Sequence, residues 1–131
     1  MIKIKGFTLP EIVITIAIVG ILSLAAVPVY RGYVRKSIAT EGKALLAEIN
    51  AAEQIFYSRN GSFYAPEDGT ESYNARFGVD ARKNKYFTSY TIELHGDDAF
   101  IATIGEDNEK VLILTGSIDD EPEIIDRFSK E

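Results

Sequence analysis

The 131-residue chain has no cysteine, one histidine and one methionine. Without cysteine there is no disulfide, no zinc–thiolate site and no thiol nucleophile. His95 alone excludes any site that needs two imidazoles. No glycine-rich phosphate loop is present either, so catalysis lacks a candidate. Basic residues are outnumbered, 14 against 20 acids, and the net charge of −6 weighs against a general nucleic-acid-binding surface. Hydrophobic content of 46% and a charged fraction of 26% exclude a wholly disordered chain. The length suits one domain and one extra element.

The charge is uneven. Residues 1–6 carry only Lys3 and Lys5, and residues 7–59 are near neutral. From residue 60 onward there are seven bases and sixteen acids. A near-neutral stem therefore joins an acidic head. Within the stem, Ile12 to Tyr30 is a run of nineteen residues without a charge. As a helix it spans about 28 Å, close to the thickness of a bilayer core. Three readings compete: a permanent transmembrane helix, a secretory signal peptide cut after Ser23–Ala25, and a helix that begins in the membrane and ends in a protein assembly. Glu11 and the length of the run argue against the signal peptide. The flanking bases, Lys3 and Lys5 before and Arg31, Arg35 and Lys36 after, do not fix an orientation.

Glu11 stands at the threshold of this run. An acid at the centre of a membrane helix costs about 2.5–3.5 kcal/mol, less near the interface, and an intramembrane charge normally has a partner. No base follows within one helical turn, so the partner can come from another chain.

Here the residues carry a resemblance. The stretch "KGFTLPE" before an apolar helix resembles the class III signal of type IV prepilins: a short basic leader, a glycine, then F-T-L-x-E. Gly20, Pro28 and the ending "VPVYRGY" are similar to the stem of the same family, and the likeness covers about residues 1–60. One departure is Pro10, where the family usually has an aliphatic residue. Proline suits the first turn of a helix, where N–H groups lack partners anyway.

The resemblance implies the following roles. Prepilin peptidase cuts after Gly6 on the cytoplasmic face, and Phe7 becomes an N-methylated amino terminus. Glu11 meets the Phe7 amine of a neighbouring subunit as stems pack into a homopolymer. Elementary chemistry supports the pairing, because cleavage creates a cation on the segment that holds an unpaired anion. The resemblance further implies residence in lipid, as a single-pass inner-membrane protein with its head extracytoplasmic. It implies contact with an inner-membrane assembly platform, then an extracellular pilus used for adhesion, twitching motility or DNA uptake. Gly20 and Pro28 weaken the helix, and in filaments of the family that region is often unwound. A continuous helix is expected in the free subunit. A minor pilin or a type II secretion pseudopilin is the alternative within the superfamily. A monomeric membrane-tethered binding domain is the alternative outside it.

The expected organisation is a leader, 1–6; an apolar half-stem, 7–30; an amphipathic half-stem, 31–59; and a head, 60–131. In the second half-stem Val34, Ile38, Leu45, Ile49, Ala52 and Phe56 form an apolar stripe, with Arg35, Lys43, Glu48 and Glu53 on the opposite side. "RNGS" at 59–62 reads as a helix stop. Residues 61–86 read as a long loop. Tyr90, Ile92 and Leu94 share a strand face. Phe100, Ala102 and Ile104 share another, after the turn "HGDD". Val111–Thr115 forms a third strand after the turn "GEDNEK". A fourth short element is expected around Ile124, Ile125 and Phe128. The fold class is thus α+β, a long N-terminal helix under a three- to four-stranded antiparallel meander. Family members often close the C-terminal end with a disulfide; here hydrophobic anchoring or a bound ion must serve, or the tail is loose.

Other candidates have plain counter-readings. Asp119, Asp120, Glu121, Glu123 and Asp126 could hold calcium, but the spacing does not match a calcium loop, and a solvated acidic face is the default. Arg76, Arg82, Lys83 and Lys85 could bind nucleic acid or the acidic tail of an adjacent subunit. The aromatic residues from Phe56 to Tyr90 read as packing. Asn60 lies in a glycosylation sequon but has a turn role. No cofactor is expected.

Overall fold

The computed structural model describes residues 2–66, 70–105 and 112–128. The chain divides into two units, Met1–Val34 and Arg35–Glu131. In the first, residues 2–8 have no regular structure and helix α1 (Leu9–Asn60) begins. All described residues up to Val34 are exposed; among the described residues none covers the apolar run. The helix is long and apolar enough to cross a membrane. It continues through Gly20 and Pro28 without interruption, although Pro28 cannot donate to the carbonyl of Leu24.

In the second unit α1 buries Ala39, Gly42, Leu45, Leu46, Ile49 and Glu53, positions three or four apart that share one face. The stripe read from sequence is corrected at three points. Val34 is exposed. Phe56 is half-buried against neighbouring aromatic rings. Glu53, expected on the polar side, is wholly buried. A one-dimensional pattern assigns a carboxylate to solvent, and only the folded chain supplies the donors that let it enter the core.

Helix α1 stops at Asn60. Gly61 adopts φ 73° and donates its N–H to the Tyr57 carbonyl at 2.8 Å, while Asn60 Nδ2 donates to the Phe56 carbonyl at 3.0 Å. This is the left-handed termination that "RNGS" suggested. The following connection is not all loop. It contains helix α2 (Thr70–Phe77) and a 3-10 turn, Ala81–Lys83, capped by Asp80. Eight residues are too few for a helix to stand on propensity. Tertiary contact makes α2: Tyr73 is buried, and its ring lies 4.6 Å from that of Phe77, one turn on.

Two carboxylates of α1 fasten this connection to the stem. Glu53 accepts from the Tyr64 N–H at 2.9 Å and from the Tyr73 hydroxyl at 2.8 Å. Burial pushes its carboxyl above the usual range, against the pull of these two bonds. Burial, with the Glu53 charge nearby, pushes the Tyr73 hydroxyl far upward. Desolvation likewise pushes Tyr90 up to about 12. Farther along, Glu41 Oε1 accepts from the N–H groups of Tyr86 at 2.8 Å and Phe87 at 3.1 Å. Slight burial raises the Glu41 carboxyl, but these backbone donors outweigh it and the net shift is downward.

The sheet comprises β1 (Tyr90–His95), β2 (Ala99–Ile104), β3 (Leu112–Ser117) and β4 (Glu123–Asp126), antiparallel and in sequence order. Ile92 pairs with Ala102, Ala102 with Leu114, and Leu114 with Ile124. This register puts Tyr90, Ile92, Phe100, Ala102, Ile104, Leu112 and Leu114 into one buried core with Leu45, Leu46 and Ile49. Leu94, expected on the same face, is 45% exposed, at the end of β1 where its cover runs out. Strand β3 runs later than expected; Val111 and residues 106–110 of the expected turn lie outside the described residues. At two glycines the elements approach closely. A Cβ on Gly42 would lie 2.7 Å from Ile104 Cδ1 and closer still to Leu112 Cδ1, and one on Gly116 would strike the Phe100 ring.

The C-terminal end is held without a disulfide. Lys43 Nζ on α1 lies 2.7 Å from Asp126 Oδ2 on β4. The Phe128 ring sits edge-on to Phe87 with centroids 5.9 Å apart.

Candidate assembly site and processing signal

Gly6 and Phe7 are exposed and precede α1, so the bond between them lies in accessible chain without regular structure. Thr8 stands just before the helix and Glu11 three residues on. Glu11 Oε2 accepts from the Thr8 N–H at 2.6 Å and from the Thr8 hydroxyl at 2.7 Å. The Thr8 carbonyl accepts from the Ile12 N–H at 3.2 Å. This is half of a capping box: the N3 carboxylate reaches back to the N-cap amide. Pro10 occupies the first turn, where its missing N–H costs nothing.

Sequence reasoning missed Thr8. The signal was present, since T-x-x-E before an apolar run is a helix-start signature. In this chain the nitrogen of Phe7 is a peptide amide, and Thr8 supplies the donors to Glu11. Within the run, Thr15 donates to the Glu11 carbonyl and Ser23 to the Val19 carbonyl, both at 2.7 Å. These hydroxyls are spent on their own helix, so they add little polar character to the run's exposed apolar surface.

The candidates in the head fall apart as a single basic site. Arg82 pairs with Asp80 at 2.9 Å, and this bond is the main cause holding the Asp80 carboxyl below its usual range. Lys85 lies over the Tyr86 ring at 5.2 Å. Arg76 lies over the rings of Tyr64, Phe56 and Phe77. Asp119, Asp120, Glu121 and Glu123 are exposed. Among the described residues no three acidic or imidazole groups converge as metal ligands. The functional weight therefore rests on the N-terminal segment and the exposed stem.

Comparison with known proteins agrees with this distribution. Residues 1–27 match the family model of the prokaryotic N-terminal methylation motif. The chain is 38% identical over 98 residues to the fimbrial protein EcpC of Eikenella corrodens, covering 74% of this chain and 60% of that one. It is 33% identical over 105 residues to the type IV major pilin protein PilE1 of Neisseria gonorrhoeae, covering 80% and 62%. It is 51% identical over 70 residues to a type IV major fimbrial protein FimA of Dichelobacter nodosus, covering 52% and 42%. The chain thus spans less than two thirds of the length of these relatives. No solved structure matches it. The methylation signal and the stem helix with its four-stranded antiparallel sheet thus occur in a chain that is similar, over most of its length, to type IV major pilin and fimbrial proteins.

Proposed function

We propose that this chain is a structural subunit of a type IV pilus. Residues 1–6 are the leader, removed by prepilin peptidase after Gly6, and Phe7 is then methylated. Residues 7–30 hold the subunit in the inner membrane and later line the filament core. Residues 31–59 carry the head, 60–131, on the extracytoplasmic side. The observation that carries this reading is the join of "GFTLPE" to a fully exposed apolar helix. Such a surface is stable only in lipid or against other stems.

Assembly follows from the chemistry of Glu11. Before processing, its carboxylate is occupied by Thr8. Cleavage frees an ammonium at Phe7, and a neighbouring Glu11 offers it a full counter-charge in a water-poor setting. That pairing offsets two desolvation costs and fixes the axial register between subunits. The role is mechanical, and no enzymatic step is assigned to the chain. Gly20 and Pro28 allow the stem to extend between them as the subunit leaves the bilayer.

Mass spectrometry of sheared surface filaments tests the reading. The expected result is a chain that lacks residues 1–6 and begins at N-methylated Phe7. A chain beginning at Ala26 would instead mark a signal peptide, and absence of filaments containing this protein would refute the pilus role.

A further inference from the structure

Arg76 lies in the last turn of α2. Its guanidinium carbon is 4.8 Å from the centroid of Tyr64, 5.1 Å from Phe56 and 5.9 Å from Phe77. The rings brace one another, with Phe56 5.5 Å from Tyr64 and 5.7 Å from Phe77. The result is an exposed arginine seated against a cluster of three aromatic rings. Cation–π contact is not a hydrogen bond, and an arginine carries five N–H donors that can still pair with an anion. Among the described residues none of them has a hydrogen bond or ion pair. A cation immobilised in this way has already lost its side-chain entropy and is preorganised for a carboxylate.

The matching anions are in the same sequence. Asp119, Asp120 and Glu121 form the turn between β3 and β4, are exposed, and have no ion pair among the described residues. The turn lies beside the β1–β2 hairpin, where Ile118 donates its N–H to the Asp98 carbonyl at 3.3 Å. The ring cluster and the turn are at different edges of the head. Tyr73 of α2 packs edge-on to Tyr90 of β1 at 5.8 Å, whereas the turn leads into β4 at the far side of the sheet. A contact that joins unlike edges repeats from copy to copy and does not close into a pair, which is the geometry of rings and helical filaments.

We propose that Arg76, seated against the Phe56–Tyr64–Phe77 cluster, receives the acidic turn 119–121 of a second copy of this chain, and that this contact locks neighbouring heads. The contact rests on the pilus-subunit reading for the stem polymerisation that brings heads together.

The absence of cysteine makes the test clean. The full-length chain is expressed with Arg76→Cys, with Asp120→Cys and with both, then treated with a short bismaleimide, whose span replaces the length of the arginine side chain. Membranes and sheared filaments are then examined. The double variant should give a ladder of trimers and larger species, and each single variant no species beyond a dimer. Absence of the ladder from sheared filaments, or from membranes where no filaments form, would overturn the contact, as would dimerisation of Arg76→Cys alone as efficient as the double variant's crosslinking. Filaments without a ladder sink this contact and leave the pilus reading intact. No filaments at all sinks the pilus reading, and the membrane fraction still decides the contact. In filaments, Arg76→Glu should speed dissociation about tenfold, and adding Asp119→Lys with Asp120→Lys should restore it to within about threefold. A charge swap no better than Arg76→Glu alone counts against the contact.

Discussion

The carboxylate of Glu53 accepts a hydrogen bond from the hydroxyl of Tyr73 at 2.8 Å, and both side chains are wholly buried. Among the described residues no cation shares the site. Neutral donors from the Tyr64 amide and Tyr73 hold the acid in place. Its effect is to bind the connection after α1 back onto the stem.

Removing that acid should be costly. Glu53→Ala strands the Tyr73 hydroxyl and leaves a cavity, and is expected to lower head stability by about 2–4 kcal/mol. Glu53→Gln keeps the shape and one acceptor and should cost less. Urea denaturation of the detergent-solubilised full chain, followed by circular dichroism, measures both.

The same residue gives the head a particular pH dependence. The folded pKa of Glu53 is raised above its ordinary 4.5, so the folded state binds its proton more tightly than the unfolded state does. Its contribution is complete below pH about 4.5 and is lost as pH rises through the folded value. Glu41 and Asp80 are shifted downward and act in the opposite sense. The difference between the parent and Glu53→Gln isolates the first effect. That difference should shift in favour of Gln between pH 4.5 and 7. A flat difference would show that Glu53 does not titrate in this window.

Gly42 and Gly20 should respond oppositely to alanine. At Gly42 a methyl group meets Leu112 and Ile104, and overpacking of this kind costs about 1–3 kcal/mol. At Gly20 nothing lies within 4 Å, so the added methyl raises helix stability by up to about 1 kcal/mol. If the stem must unwind there on assembly, Gly20→Ala yields fewer filaments from a more stable monomer. Thermal melting and filament yield, taken together, separate the two effects.

At the N-terminus, Glu11→Gln should leave leader removal intact and block or slow polymerisation. The expected outcome is a processed chain accumulating in membranes, read by mass spectrometry of the membrane fraction. Thr8→Val removes only the exposed hydroxyl contact to Glu11 and keeps the backbone N–H that the carboxylate caps. It should process and assemble near the parental level. Equal filament yields from Glu11→Gln and the parent would remove Glu11 from the assembly step.

The C-terminal clamp is testable in the same way. Lys43→Met leaves Asp126, whose side chain is 11% exposed, without this cation. Since Lys43 itself is half exposed, the expected loss is about 1 kcal/mol, shrinking in high salt. Phe87→Ala empties a buried position beside Phe128 and should cost about 3–5 kcal/mol. Proteolysis of the tail in the two variants ranks these anchors directly.

What the sequence determined by itself was whatever depends on local spacing. Nineteen uncharged residues fix a helix of membrane length. Alternation in 90–104 fixes two strands and, Leu94 apart, their inward faces, and Asn60–Gly61 fixes the end of the stem. The family likeness at Gly6, Phe7 and Glu11 was equally visible, because it resides in one continuous stretch. Only the tertiary structure decided which charges enter the core and which stay wet. Glu53 looks polar in any one-dimensional pattern, yet donors from residues 64 and 73 make its burial tolerable. Helix α2 has no signal of its own, since eight residues form a helix only when Tyr73 and Phe77 find a surface. Arg76, Phe56 and Tyr64 come from three segments, and their meeting depends on the path of the chain after α1. Periodicity reports one element against water. Contacts between distant elements arise from closure of the whole core, where the loss of solvent and the gain of partners are settled together.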